Sequence, residues 1–240
     1  YRHDIDYDAR DDDFDSYASA ADDNHGTPVS GVIAADDNGN GTIGVAPDAD
    51  ITGFRIGFGG ASGFNDFAQQ APHMQSVDII NNSWGWGGYF YDNFNTELFS
   101  PSRQAIENVA TLGRGGLGSF ITFAAGNSGD VGDNVNYHSF QNSQYVTAVG
   151  GVNSDGSLAN FSTPGAAVLV SAGATNILTT DRLGSLGYTD GDTVSINGTS
   201  FSAPTVAGVA ALILEANPTL GYRDIQEILA YSSQNPTPSN

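Results

Sequence analysis

The sequence contains neither cysteine nor lysine among its 240 residues. Without cysteine the chain cannot form disulfides, thiolate metal sites or a cysteine nucleophile. Its 7 basic residues are therefore all arginines, they stand against 27 acidic residues, and the formal net charge at pH 7 is -20. Because so negative a surface repels phosphate backbones and anionic membranes, the composition argues against nucleic-acid binding.

Long hydrophobic runs are absent as well. No stretch of 18 consecutive apolar residues occurs, so the sequence predicts no membrane span. Hydrophobic residues still make up 39% of the chain, which is enough for a sizeable core, and the length favours a single large domain. The first residues are neither a Met start nor a signal peptide, so we expect this chain to be part of a longer protein.

Short apolar runs alternate with helical stretches along most of the chain. Continuous apolar or β-branched runs are typical of strands that are covered on both faces, and their alternation with helices indicates a mainly parallel sheet. The sequence therefore predicts an α/β fold in one domain over residues 1–234, with 235–240 as a linker. The predicted strands are 51–56, 77–81, 119–124, 145–149 and 168–171, and the predicted helices are 101–112, 202–216 and 222–232.

Three segments carry residue types that are suited to acyl transfer. His25 opens a helix rich in small residues, and Asn127 follows an apolar strand. Ser200 lies where a glycine-containing turn enters an apolar helix, with Pro204 in the first turn of that helix. A serine at a helix N-terminus has free N–H groups nearby that can face a developing oxyanion, and an asparagine amide can add a donor. Taken singly, these residues also suit a helix cap, a turn with an N-cap and a turn of positive φ.

Their conjunction, in this order, resembles the subtilisin superfamily of serine peptidases. The resemblance rests on the motifs His25-Gly26-Thr27, Asn82-Ser83-Trp84-Gly85, Ala125-Gly126-Asn127 and Gly198-Thr199-Ser200, while residues 113–119 and 222–226 resemble the kexin/furin branch. It implies a three-layer fold with helices on both faces of the sheet. It also implies Ser200 as nucleophile, His25 as general base and acid, Asn127 as oxyanion donor, and polypeptide substrates lying along residues 83–88.

The family's third catalytic residue, an aspartate that orients the histidine, has no counterpart here. In the family it ends a core strand in an Asp-(Thr/Ser/Asp)-Gly pattern, and no such triplet precedes His25. We expect the first core strand and its aspartate to lie in an upstream segment of the same protein. The chain alone should then be nearly inactive, and adding that segment should restore hydrolysis.

Two loops occupy positions where the kexin/furin branch binds calcium, which makes structural Ca²⁺ the one cofactor that the resemblance implies. Oxygen ligands in flexible loops suit this ion. A solvated acidic loop and a plain Asn-Gly turn are the alternative interpretations. The predicted ligands are Asp8, Asp13 and Asp15 in the first loop, and the carbonyls of Asp36, Asn40 and Thr42 with the Asn38 side chain in the second.

The resemblance is weakest in the specificity residues. Asp22 matches an acid of the second subsite, and Asp133 is kept, but His138 stands where a further pocket acid is expected and Thr163 replaces a glutamate. Cleavage after paired basic residues is therefore not expected, and the primary pocket should be less charged or differently shaped. The predicted substrate-binding residues are Asp22, Ser83, Trp84, Gly85 and His138.

Two other interpretations stay open. The chain could be a non-catalytic subtilisin-like module of a large secreted or surface protein, serving adhesion or scaffolding, although retention of His25, Asn127 and Ser200 argues against it. A carbohydrate- or calcium-binding surface domain is the third. The resemblance further implies a secreted or cell-surface location, and a β-rich domain that follows the prolines of the tail.

Overall fold

Four parallel strands in the order β3-β4-β5-β6 form the central sheet of the computed structural model, which describes residues 1–21, 23–57, 63 and 65–234. A parallel pair β1-β2 and an antiparallel hairpin β7-β8 lie beside it. In chain order the elements are β1 (Tyr7–Asp8), α1 (Gly26–Ala34), β2 (Phe54–Arg55), α2 (Asp66–Met74), β3 (Ile79–Asn82), α3 (Ser100–Leu112), β4 (Phe120–Ala124), β5 (Thr147–Val152), β6 (Val168–Gly173), β7 (Ile177–Thr180), β8 (Thr193–Ile196), α4 (Thr199–Ala216) and α5 (Tyr222–Ser232).

Strand β4 is buried on both faces, as its continuous apolar sequence predicts. Successive side chains point to opposite sides of a strand. Ile121 and Phe123 accordingly pack with residues of α2 and α3, whereas Phe120 and Ala124 pack with residues of α4 and α5. The sheet is therefore the middle of three layers, and the predicted α/β fold with helices on both faces is confirmed.

Four of the predicted strands are present with shifted ends, namely 77–81, 119–124, 145–149 and 168–171. The three predicted helices are also present; α3 and α4 begin earlier than predicted, and α5 has the predicted ends. The segment 51–56 forms only the two-residue strand β2, which pairs with β1 outside the central sheet. The polar N-terminal stretch thus contains a strand that its sequence did not indicate. Helix α2 and the β7-β8 hairpin were also missed, since α2 contains Pro72 and the hairpin is rich in threonine rather than in large apolar residues.

Helix α4 is long and apolar enough to cross a membrane by length and composition alone, and no other helix in the described part of the chain is. It contacts all four strands of the central sheet and α1. Burial inside the protein accounts for its apolar sequence. Its Gly208 faces the segment that follows α1, where a Cβ on this glycine would lie 2.6 Å from the Cβ of Val45.

We expect Gly208→Ala to destabilise the protein, although alanine is normally the better helix former by about 1 kcal/mol. The added methyl group has to displace Val45, and such overpacking typically costs about 1–3 kcal/mol. The free energy of unfolding from chemical denaturation measures the effect. Gly26→Ala is the matched control, because a Cβ at that helical glycine meets nothing within 4 Å, and equal stabilities of the two variants would contradict the tight α4 packing.

Candidate active site

Three of the predicted motifs meet at one edge of the central sheet. Carboxyl ends of parallel strands lie at a common edge. Ser83 follows β3, Asn127 follows β4 by three residues, and α4 begins at Thr199 beside both. The sheet topology thus brings together segments that are far apart in the sequence.

The Asn127 side chain is fixed in orientation by Thr199. Its Oδ1 accepts hydrogen bonds from the Thr199 backbone N–H at 2.8 Å and from Thr199 Oγ1 at 2.9 Å. A backbone N–H is always a donor, so the accepting atom must be the amide oxygen and Nδ2 is the atom left to donate. Thr199 Oγ1 also accepts from the Gly126 N–H at 3.1 Å, which links the turn after β4 to the first residue of α4.

Ser200 is the second residue of α4, so its N–H has no acceptor within the helix. The preceding Gly198 has φ 145°, in the region that favours glycine. The sequence predicts Pro204 in the first turn of this helix. Because α4 begins at Thr199, Pro204 lies one turn after Ser200 instead. Since proline has no N–H, the Ser200 carbonyl lacks its usual helical partner, and it accepts a hydrogen bond from Ser83 Oγ at 2.7 Å. In addition, Ser200 Oγ donates a hydrogen bond to the Ser83 carbonyl at 3.4 Å.

His25 lies at the start of α1, which packs against α4. Its ring centroid is 6.0 Å from the ring of Phe201, the neighbour of Ser200. Burial lowers the pKa of the His25 imidazole from its ordinary value of 6.5, so the neutral form is favoured. Among the described residues, no carboxylate is hydrogen-bonded or ion-paired to this ring.

A cavity of about 290 Å³ opens beside Ser200 and Asn127. Its walls include Ser83, Trp84 and Gly85 on one side and residues 124–128 on the other. Trp84 Nε1 donates to Asn82 Oδ1 at 3.2 Å, and its ring packs against Phe123. These three predicted substrate-binding residues therefore do line one cavity, whereas Asp22 lies outside the described residues.

The cavity also reaches His138 and Asp133. The resemblance to the family placed both residues in the substrate pocket, but it did not predict that they contact each other. His138 Nε2 lies 3.0 and 3.1 Å from the two carboxylate oxygens of Asp133, and its Nδ1 lies 3.5 Å from Asp92 Oδ1. The neighbouring carboxylates, that of Asp92 first and then that of Asp133, raise the pKa of His138 although burial opposes the rise. Asp92 was missed, because nothing in the sequence connects it with a histidine 46 positions later.

The first predicted calcium loop does not present its carboxylates to a common point. The Asp8 side chain is buried, with one oxygen bonded to Arg55 Nη1 at 2.5 Å and the other accepting the N–H groups of Arg10 and Asp11. The exposed Asp13 and Asp15 each accept a backbone N–H two residues further on. Calcium binding by this loop therefore stays a prediction.

In the second loop the side chain of Asn38 is also engaged locally. Its Oδ1 accepts the Asn40 N–H at 3.0 Å, and the Asp36 carbonyl accepts the Asn38 N–H. Thr42 Oγ1 donates to the Leu178 carbonyl at 3.3 Å. Nowhere in the described ranges do three or more His, Asp or Glu side chains converge in a way that could hold a metal, so both sets of ligands stay predictions.

A protein-family model described as the subtilase family matches residues 2–240. The chain belongs to the subtilase family. This subtilase is similar to human proprotein convertase subtilisin/kexin type 4, with 32% identity over 222 residues that cover 91% of this chain and 29% of the relative. That relative confirms the predicted resemblance to the kexin branch.

Two further proteins resemble this subtilase. A calcium-dependent protease from Trichormus variabilis is 35% identical over 238 residues, covering 88% of this chain and 35% of the relative. The crystal structure of a cold-adapted subtilisin-like serine proteinase matches with a TM-score of 0.73 and 29% identity, over 97% of this chain and 76% of that one. The chain spans about a third of the length of these curated relatives.

Thr199→Val should destabilise this subtilase by about 1–2 kcal/mol, because it keeps the shape of the side chain but removes the hydroxyl that joins Gly126 to Asn127. The free energy of unfolding in denaturant provides the measurement. Thr205→Val is the control within the same helix, since its Oγ1 only donates back to the Phe201 carbonyl. If both variants lost the same stability, the Thr199 hydroxyl would not be the connection described above.

Proposed function

We propose that the chain is the peptidase domain of a serine endopeptidase, with Ser200 as nucleophile, His25 as general base and acid, and Asn127 as oxyanion donor. One observation carries the proposal: Thr199 holds the Asn127 amide so that Nδ2 is the free donor in the cavity that Ser200 lines. A helix cap or an ordinary turn does not require that arrangement. Membership of the subtilase family supports it.

In the proposed reaction Ser200 Oγ attacks the carbonyl carbon of a peptide bond, and His25 takes the hydroxyl proton. The negative charge moves to the carbonyl oxygen, where the N–H of Ser200 and the Nδ2 of Asn127 donate to it. Collapse of this intermediate breaks the C–N bond, and His25 gives its proton to the leaving amine. Water then hydrolyses the acyl ester by the same steps and regenerates Ser200.

The environment of His25 suits this role only in part. Its lowered pKa keeps the imidazole neutral and able to accept a proton, but a bare imidazole lacks the carboxylate that would stabilise its charged form. We propose that an aspartate outside these 240 residues supplies this group. The outer edge of β3 is open in the described sheet, and a parallel strand added there would end beside Ser83.

Polypeptides are the proposed substrates, in extended conformation along residues 83–88. We further propose a secreted or cell-surface location. It is supported by the lysine-free surface with net charge -20, which suits salty surroundings, and by the kexin-type relatives.

A fluorophosphonate probe tests the nucleophile, because it forms an Oγ–P bond only with an activated serine as fluoride leaves. We expect mass spectrometry to find the label on Ser200, and Asn127→Ala to slow labelling by about 10²–10³-fold. The rate should fall as pH decreases through the pKa of His25, since the protonated ring cannot accept the serine proton. Burial lowers that pKa, so the fall should come below pH 6.5.

Ser200→Ala should abolish labelling, and Ser100→Ala, at the exposed start of α3, should leave it unchanged. A chain extended by the missing aspartate should react faster, on the order of 10⁴-fold by analogy with loss of the triad aspartate. Absence of labelling in both the 240-residue and the extended chain would favour the non-catalytic module instead.

Calcium dependence is the second part of the proposal. The Trichormus variabilis relative, named a calcium-dependent protease, and the two oxygen-rich loops support it, although the side chains of those loops do not converge in the described residues. A bound ion would brace these loops, and no step of the reaction requires it.

Added calcium should raise the melting temperature relative to EGTA at equal ionic strength. A ligand at 100 times its Kd stabilises the folded state by about 2.7 kcal/mol. Asn38→Ala should reduce the shift if the second loop binds, and Asp13→Asn if the first does. Asp190→Asn, an exposed acid elsewhere, is the control. An unchanged melting temperature at millimolar calcium would argue against a structural calcium site.

A further inference from the structure

Two ionisable residues in the lining of the cavity beside Ser200, His138 and Asp133, lie next to a third one, Asp92. His138 is 5% exposed and Asp92 is 1% exposed, and Asp133 lies against the same ring. The ionisable neighbours that raise the pKa of His138 are Asp92 and Asp133. Asp92 Oδ2 is already taken by the Phe140 N–H at 3.1 Å, so Oδ1 is the oxygen that faces the imidazole.

The geometry around the ring favours the charged form of His138. Each ring nitrogen faces a carboxylate, with Nε2 about equally distant from both oxygens of Asp133 and Nδ1 near Asp92 Oδ1. A neutral imidazole has only one N–H, and its other nitrogen would present a lone pair to a buried carboxylate. Asp92 Oδ1 and His138 Nδ1 have no hydrogen-bond partner in the described protein, and the 3.5 Å between them is an ion-pair distance. An imidazolium can donate from Nε2 to Asp133 and place its positive charge beside Asp92, so it compensates both carboxylates at once.

We infer that His138 determines primary specificity: as an imidazolium it occupies Asp133, so the cavity accepts an uncharged substrate side chain and rejects a lysine or arginine. This inference rests on the proposed peptidase function. When His138 loses its proton, Asp133 keeps its negative charge without a cationic partner, and the same cavity becomes able to hold a cation.

The rest of the cavity suits an uncharged side chain. Asp133 and His138 are the only charged groups among its described lining residues. Its lining also includes Trp84, Trp86 and the amide of Gln141. Gly85 allows Gln141 to approach closely, because a Cβ there would lie 2.9 Å from Gln141 Nε2. An apolar or amide-bearing side chain finds contacts here, and a cation would find a carboxylate that is already paired.

Binding of p-aminobenzamidine, a fluorescent cationic mimic of an arginine side chain, tests the inference without requiring catalysis. We expect weak binding near pH 6, tightening by about tenfold or more toward pH 9 as like-charge repulsion from His138 disappears. In His138→Asn the probe should bind tightly and with little dependence on pH. Asp133→Asn should weaken the probe at every pH, and near-UV circular dichroism checks that each variant is folded.

A second measurement uses the unmodified chain. The imidazole Cε1 proton of His138, identified as the NMR signal that disappears in His138→Asn, should titrate above the ordinary value of 6.5. Saturating p-aminobenzamidine should shift that titration to lower pH, because binding and proton loss are linked reciprocally.

Two results would overturn the inference. One is tight, pH-independent binding of the probe to the unmodified chain, and the other is a His138 signal that titrates at or below its ordinary value. Neither result depends on hydrolysis, so failure of Ser200 labelling would reject the peptidase proposal while leaving this readout intact. If Ser200 is labelled but the probe binds at every pH, the peptidase stands and the pocket assignment falls.

Discussion

The hydrogen bonds between Thr199 and Asn127 are the connection on which the candidate site depends. They join the end of β4 to the start of α4, two segments that are 72 positions apart in the chain. Through them the sheet edge fixes the amide orientation, and Gly126 is held by the same hydroxyl. Ser83 adds a second tie by donating to the Ser200 carbonyl, which Pro204 leaves available. Both connections lie near the ends of strands and at the start of α4. They use the Thr199 N–H and the Ser200 carbonyl, which the helix itself leaves without a backbone partner.

The sequence predicted this site better than it predicted the surroundings. Ser200, Asn127 and Ser83 were found because each belongs to a short motif whose residues act locally, and the sheet edge then brings the motifs together. The strands of the central sheet were found because burial on both faces leaves a continuous apolar run. The helix α2 and the β7-β8 hairpin lacked such a pattern, and Asp92 contacts His138 only through tertiary folding. Periodicity does not record contacts of this kind.

Several of the acidic side chains share a single cationic partner, which the net charge of -20 does not reveal. Arg55 bonds to Asp8, Asp11 and Asp23 together, so one buried guanidinium holds three acids of the N-terminal segment. In the cavity a histidine does the same for Asp92 and Asp133. Arg55 and His138 each serve several carboxylates, and the loss of either would leave more than one acid without compensation.

The Asn127-Thr199 connection bears on the order of events during synthesis. The residues that form the cavity come from both halves of the chain, and α4 is the penultimate helix. Until α4 docks against β4, nothing holds the Asn127 amide in place, and Ser200 is not yet the second residue of a helix. A chain synthesised only as far as β8 therefore carries all the strands of the central sheet but not the connection between Asn127 and Thr199.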